Sequence, residues 1–313
     1  MSVAIFGAVD DPHPIHVRDL IRESDVSCEI LDPDSTNFTF SISFEAHGLP
    51  MITFRLENGE TFKATVFWWR TKPKLFRFED SARQEAVDFA QREWAHSLRS
   101  VLTLTDATVL NRPDKQFFAN HKPIQLSIAQ QVGLKIPPTF ITNDYQKIPP
   151  SPHGVIYKPL TWLSRFPGEM LFANMVTPEL LSENRESIQS APCIFQDFVD
   201  KIFEVRVSVF GDTMYGTKIL SQKSKRTSVD WRRGIGDDIY DPIDVPPEIQ
   251  NMIKEFLSKL ELYSGRFCLV INRDGEWVFL ECNPAGQWIW LEQMTGEPMT
   301  KSFVDLLLSF VQE

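Results

Sequence analysis

Near the C-terminus the run Trp277-Val278-Phe279-Leu280-Glu281-Cys282-Asn283 has strand character, and Glu281 and Asn283, two positions apart, share one face of it. Together they present a carboxylate and a carboxamide oxygen. Hard oxygen donors on a rigid strand suit Mg2+, which takes one or two carboxylates from a protein and completes its shell with phosphates and water. The chemistry suggested is that of a Mg-nucleotide site. Glu-x-Asn alone also occurs on solvated strands, so the reading depends on matching parts elsewhere in the chain.

Those parts are present upstream. Lys158 ends the strand-like run Val155-Ile156-Tyr157-Lys158 just before Pro159, where a buried charge needs a partner and an ammonium suits a phosphate. Lys122 follows Asn120-His121 at a helix start and either approaches the same phosphates or is solvated. Gln196-Asp197-Phe198-Val199 joins two strand-like runs, a hinge whose unpaired peptide groups can meet the edge of a base. Glu204 and Arg206 alternate with Phe203, Val205 and Val207. A carboxylate there can accept both ribose hydroxyls and a guanidinium can clamp a phosphate or carboxylate, unless the two form only a surface ion pair of little energetic weight.

These groups need lobes to position them. At 313 residues the chain is long enough for two or three. Its net charge of -10 argues against a general nucleic-acid binder, which needs a Lys/Arg excess. No apolar run approaches a membrane span, and Val3-Ala4-Ile5-Phe6 passes directly into Gly7 and two aspartates, unlike a secretory signal; a cytoplasmic location is expected. Cys28, Cys193, Cys268 and Cys282 are scattered in apolar contexts and are expected to be reduced thiols.

The patterning predicts a strand at Val3–Phe6, a helix over His16–Glu23, and strands at 38–44, 51–56 and 62–69, the last two joined through Asn58-Gly59 in one small mixed sheet. Ser81 with Gln84 forms a capping box before a helix with an Ala86, Phe89, Ala90, Leu98, Val101, Leu102 stripe. A second unit opens near Asn111-Arg112-Pro113, with one helix over Phe117–Val132 capped by Gly133, then strands at 139–142, 155–158 and 194–196. Ser164 to Met175, centred on Pro167-Gly168, reads as a loop and a lid for the cleft. The third unit is mostly antiparallel: Phe203, Val205, Val207 and Val209 point one way, Gly211-Asp212 turns the chain, and residues 214–220 return. A polar connection over 221–241 carries Lys223, Lys225, Arg226, Arg232 and Arg233; a helix over 248–260, a hairpin over 267–283 turned at Asp274-Gly275 and a C-terminal amphipathic helix follow.

In order, these pieces resemble the ATP-grasp superfamily, and within it the macrocyclising ligases that make graspetides such as the microviridins. The resemblance rests on Asn120-His121-Lys122-Pro123, Gly133-Leu134-Lys135-Ile136-Pro137, Ile156-Tyr157-Lys158-Pro159, Pro192 to Gln196, Glu204-Val205-Arg206, Asp230-Trp231-Arg232 and Phe279-Leu280-Glu281-Cys282-Asn283-Pro284-Ala285-Gly286-Gln287-Trp288. It spans about Trp68 to Phe310.

The resemblance implies a mixed α/β and α+β ATP-grasp fold: an N-terminal α/β domain over 1–115, a central subdomain over 116–199 and a C-terminal subdomain over 200–313, with ATP between the last two. It further implies an enzyme that uses ATP and Mg2+ to phosphorylate Asp or Glu side chains of a ribosomal precursor peptide. A Thr or Ser hydroxyl, or a Lys amine, then closes an ester or amide ring. On this reading Lys122, Lys158 and Lys218 serve the nucleotide, Gln196, Asp197, Phe198 and Val199 hold adenine, Glu204 takes the ribose, and Glu281 with Asn283 hold Mg2+. Arg206 and Arg232 orient the reacting carboxylate, while Arg226, Arg232 and Arg233 receive an acidic peptide. A homodimer is expected from the resemblance and the aromatic-rich stretch around Trp68. Similar ligases carry an Asp where this chain has Cys268 or Leu269, which leaves one metal ligand fewer. Other readings are a ligase that joins a free amino acid or small molecule to a carboxylate, and a non-catalytic precursor-binding protein.

Overall fold

Val3, Ala4, Ile5 and Phe6 are apolar without alternation, as a strand covered on both faces requires, and they form β1 (Ser2–Phe6) inside a parallel sheet. The structure, a computed structural model, describes residues 2–33, 35, 37–48, 50–70, 83–161, 172–234 and 240–311. The chain continues through α1 (Pro12–Arg22), β2 (Ser27–Leu31), β3 (Phe38–Ser43), β4 (Met51–Leu56), β5 (Thr61–Phe62), β6 (Val66–Trp69), α2 (Gln84–Leu104) and β7 (Thr108–Leu110). Strands β2-β1-β6-β7 form the parallel sheet, and β3-β4-β5 a separate antiparallel one.

Three expectations for this region are corrected. The run 62–69 is two strands in two sheets, because Phe62 pairs with Phe54 across the Asn58-Gly59 turn whereas Thr65 N–H bonds the Ser2 carbonyl at 2.9 Å. Burial alternates from Thr61 to Val66, across the junction between the two strands, so the pattern hid the change of sheet; beyond it β6 is buried on both faces. Helix α1 starts earlier than expected, since Asp11 caps it by accepting from His13 N–H at 3.0 Å and Pro12 suits its first turn. The α2 stripe is buried only at Leu98, Val101 and Leu102, and Phe89 is exposed. Ser81 of the capping box lies outside the described residues, as does the Pro167-Gly168 centre of the expected lid.

The second group comprises α3 (Pro113–Ala119), α4 (Lys122–Gln131), β8 (Thr139–Thr142), β9 (Val155–Lys158), β10 (Asn174–Val176), α5 (Pro178–Glu183), α6 (Arg185–Ser190) and β11 (Cys193–Asp197). Its sheet is antiparallel, in the order β10-β9-β11-β8. The single helix expected over 117–132 is two, broken at Asn120-His121, because Pro123 lacks an N–H to continue the ladder and is tolerated only in a first turn. Gly133 ends α4 at φ +86°, where glycine is the low-strain choice. Met175, expected in a loop, pairs with Ile156 in β10.

The last group is β12 (Lys201–Phe210), β13 (Thr213–Ile219), β14 (Tyr240–Ile243), α7 (Pro247–Lys259), β15 (Ser264–Asn272), β16 (Trp277–Asn283), α8 (Ile289–Thr295) and α9 (Met299–Ser309). Its sheet runs β14-β13-β12-β15-β16. Val205, Val207 and Val209 pack against Ile253 and Phe256 of α7 and Ala129 of α4. On the other face Phe210 and Ile219 join a core with Trp288, Phe303 and the N-terminal Val3, Ile5 and Val17. Chain ends far apart in sequence thus share one apolar core. Trp288 lies at its centre, 5.0 Å from the Phe303 ring, 5.4 Å from Phe210 and 5.8 Å from Trp68. Trp288→Ala is therefore expected to destabilise the protein by about 3–5 kcal/mol, read as a lowered denaturant midpoint.

Among the described residues all four cysteines are free, and no helix is long and apolar enough to cross a membrane.

Candidate active site

Antiparallel pairing sets Thr217, Arg206, Cys268 and Glu281 opposite one another across β13, β12, β15 and β16, so their side chains form one row on one face. From the facing lobe come Lys158, at the end of β9, and Lys122, at the start of α4. Lys122 Nζ is 3.7 Å from Glu281 Oε2 and donates to the Pro159 carbonyl at 3.0 Å. Lys158 Nζ donates to Gln196 Oε1 at 2.8 Å, and Gln196 Nε2 donates to Thr139 Oγ1 at 2.8 Å. Gln196, buried in β11, thereby aims Lys158.

The electrostatics of this cluster are unbalanced. Burial would by itself raise the Glu281 carboxyl, but Lys122, Lys158, Arg206 and Arg232 together hold it below the usual carboxylate range. Burial depresses Lys158, helped by Lys122 and Lys201 and opposed by Glu281. Four cations, one of them (Arg232) also paired with Asp230, outnumber the two carboxylates Glu281 and Asp230, and a polyphosphate is the anion that would offset the positive excess.

A cleft of about 610 Å³ is lined by residues 133–138, the hinge Asp197, Phe198 and Val199, and Asn272, Glu276 and Val278; none of the cluster residues lines it. Asp197 and Phe198 N–H bond the Pro138 and Gly154 carbonyls, each at 2.9 Å. The Val199 N–H has no partner among the described residues, so it is the hinge donor available to a base edge.

Several predicted residues are placed differently from the sequence reading. Glu204 is not in a surface pair with Arg206: it accepts from the buried Lys201 at 2.7 Å, and Lys201 also donates to the Val229 carbonyl at 3.2 Å. Lys201 was missed by sequence reasoning, although a lysine three residues before a strand glutamate was the available signal. Lys218 pairs in register with Val205 and lies 4.9 Å from the Phe203 ring, on the face opposite Arg206. Arg206 donates to Cys268 Sγ and its guanidinium sits 5.6 Å from the Trp231 ring. Arg232 grips the buried Asp230 through Nε at 2.9 Å and through Nη2, while Asp230 also accepts from Ala173 N–H at 3.0 Å. Arg233 donates to Asn174 Oδ1 at 2.6 Å and, like Arg232, faces the Phe172 ring. Arg226 is on an exposed turn, its N–H on Ser224 Oγ.

No protein-family model and no curated protein matches the chain. Solved structures do. The chain superposes on a RiPP-associated ATP-grasp ligase from Chryseobacterium gregarium, in complex with ADP and a leader and core peptide, with a TM-score of 0.88 at 25% identity, covering 99% of this chain and 97% of that one. The chain has the fold of the ATP-grasp ligases. The macrocyclase MdnC bound with precursor peptide MdnA, from Microcystis aeruginosa MRC, gives 0.85 at 24% identity over 99% of this chain and 100% of that one. The ATP-grasp ligase PsnB complexed with minimal precursor, Mg and ADP gives 0.76 at 18% over 99% and 98%, which speaks to fold.

The residues of this chain fit a Mg2+ ion whose shell is completed by phosphates. Glu281 is ionised, and Asn283 Oδ1, on the same strand, accepts from Ala285 N–H at 3.0 Å and retains a second lone pair. Cys268, across from Glu281, adds no ligand of the right kind: burial pushes its thiol up to about 11, and a protonated soft sulfur is a poor partner for Mg2+. Among the described residues no group of three or more His, Cys, Asp or Glu is arranged around a metal position.

Proposed function

We propose that this protein activates Asp or Glu side-chain carboxylates of a ribosomal precursor peptide with ATP and closes them onto Thr or Ser hydroxyls as esters, or onto Lys amines as amides. The observation that carries the reading is the cationic cluster of Lys122, Lys158, Arg206 and Arg232 around Glu281. The peptide-bound ligases that share the fold over nearly their whole length support the choice of acceptor.

In this proposal Lys122 and Lys158 hold the phosphates, Val199 N–H meets the adenine edge, and Glu281 and Asn283 hold Mg2+, which when bound supplies charge neutralisation between phosphate groups. Transfer of the γ-phosphoryl group to a peptide carboxylate oxygen gives an acyl phosphate and ADP. The attacking hydroxyl or amine then forms the bond to the acyl carbon, loses its proton, and phosphate leaves. Neither step needs a protein nucleophile; positioning and charge are what the site supplies. Arg206, backed by the Trp231 ring, is placed to orient the carboxylate, and Arg226, Arg232 and Arg233 form the basic side from which an acidic peptide approaches.

The remaining expectations belong to the same proposal: a cytoplasmic enzyme with three lobes divided near residues 115 and 199, and a homodimer. The aromatic argument for a dimer falls away, because Trp68 is buried against Phe303 at 4.7 Å.

Mass spectrometry tests the function. An acidic precursor peptide incubated with the protein, ATP and Mg2+ should lose one water per ring, and Glu281→Gln should abolish the loss. Consumption of ATP with an unchanged peptide mass would direct the search to another acceptor.

A further inference from the structure

Four polar side chains that the proposed chemistry does not use converge on the segment immediately after Glu281. Gln125 (3% exposed) accepts from Cys282 N–H at 2.8 Å and donates to the Cys282 carbonyl at 2.7 Å. Asn111 (2%) donates to the Pro284 carbonyl at 3.1 Å, and Arg70 (4%) donates through Nη1 to the Ala285 carbonyl at 2.7 Å. His13 (3%) accepts at Nε2 from Trp288 N–H at 3.1 Å. An isolated burial of this kind is unfavourable, and apolar residues of equal volume would fill the space at least as well. Four in succession along residues 282–288 indicate that backbone position is being specified there.

Ala285, whose N–H and carbonyl lie in two consecutive peptide groups, shows what is specified. Its N–H is donated to Asn283 Oδ1 at 3.0 Å, and its carbonyl is held by Arg70. Arg70 is itself oriented by Asp11, which accepts from Nε at 3.1 Å. Behind the same turn Gly286 admits no side chain, since a Cβ there would lie 2.6 Å from Arg266 Cγ. A continuous chain of contacts thus runs from Asp11 in the N-terminal lobe, through Arg70 and Ala285, to the carboxamide of Asn283.

We propose that Arg70 is a positioning residue for the metal-binding pair: together with Asn111 on the Pro284 carbonyl it fixes Ala285 from both sides, and the Ala285 N–H fixes the rotation of the Asn283 carboxamide. This makes the N-terminal lobe part of the site without touching nucleotide or peptide. The proposal rests on the assignment of Glu281 and Asn283 to Mg2+.

The test is the affinity for ADP measured by calorimetry with and without Mg2+, on the full-length chain and on Arg70→Lys, Arg70→Met and Glu281→Gln. Lysine keeps a charge beside Asp11 but a single ammonium does not reproduce the planar fork that bridges Asp11 and the Ala285 carbonyl. The enhancement of ADP binding by Mg2+ should fall about 10–100-fold in both Arg70 variants, with metal-free ADP affinity kept within about twofold. Unchanged enhancement in them, or equal loss of both affinities, overturns the role of Arg70. Glu281→Gln separates the two layers: if it leaves the enhancement intact, the metal assignment fails and the inference with it. If neither Arg70 variant folds, as thermal unfolding would show, Asp11→Asn takes their place. It retains the side-chain volume, frees Arg70 from its partner, and is judged by the same ratio.

Discussion

Replacing Lys158 with Met is expected to lower kcat/KM for ATP by about 10²–10³-fold, the scale of losing one preorganised charge partner of a reacting group. The same change should leave the unliganded protein at least as stable. Burial depresses Lys158, so the native state disfavours its ammonium relative to the unfolded chain. The sign follows directly. Below the folded value the charge costs native stability, and the penalty fades as pH rises through that value toward the ordinary lysine range. Methionine removes the penalty while keeping the length of the side chain. Loss of activity together with retained or increased thermal stability would identify a charge held in place for a ligand. Parallel loss of both would show that Lys158 is structural. In the wild-type enzyme the alkaline limb of kcat/KM should begin below the ordinary lysine range, and that limb should be absent from the methionine variant.

Arg232→Ala is expected to act first on stability. Asp230 has a side chain only 5% exposed and is gripped through two guanidinium nitrogens, whereas the Arg232 side chain is 37% exposed. Breaking a fully buried pair costs about 3–5 kcal/mol; with one partner screened by solvent, about 2–3 kcal/mol is expected here. Burial tends to raise the Asp230 carboxyl, and the Arg232 bonds more than reverse this, holding it below its usual range. That contribution is complete above the unfolded carboxylate value and is lost as pH falls through the depressed folded value. Acid unfolding of the wild type should therefore be steeper than that of Asp230→Asn/Arg232→Ala, which removes both charges and should recover most of the lost stability. Ring formation by the double variant, measured once folding is restored, would then report what Arg232 does for the peptide. Full ring formation would remove it from the carboxylate-orienting role and leave that role to Arg206.

The sequence disclosed the site in part, and the reason lies in the reach of local signals. Glu281 and Asn283 were legible because period-two geometry places them on one face whatever the strand packs against. Lys158 stood out because a charge ends an apolar run before a proline, and the structure puts it at the end of β9. The same logic found the hairpin turned at Asp274-Gly275 and the valine face of β12, where pattern and burial agree. It failed where a local pattern continued through a change of environment. Phe62, Ala64 and Val66 alternate with Lys63 and Thr65 across the point where the chain passes from one sheet to another, and residues 117–131 keep a helical character across the break before Pro123.

What the sequence by itself determined was the set of chemical groups and the face of the strand or end of the element on which each one stands, since these follow from backbone periods and from proline and glycine. What only the tertiary structure decided was partnership. Glu204 pairs with Lys201 and not with Arg206, Arg232 is engaged by Asp230, Lys218 stands on the far face of its sheet, and Arg70 reaches Ala285 across 215 positions of chain. Side-chain hydrogen bonds and ion pairs act over a few ångströms in space and carry no period along the sequence, so only the packed sheets bring such groups within range.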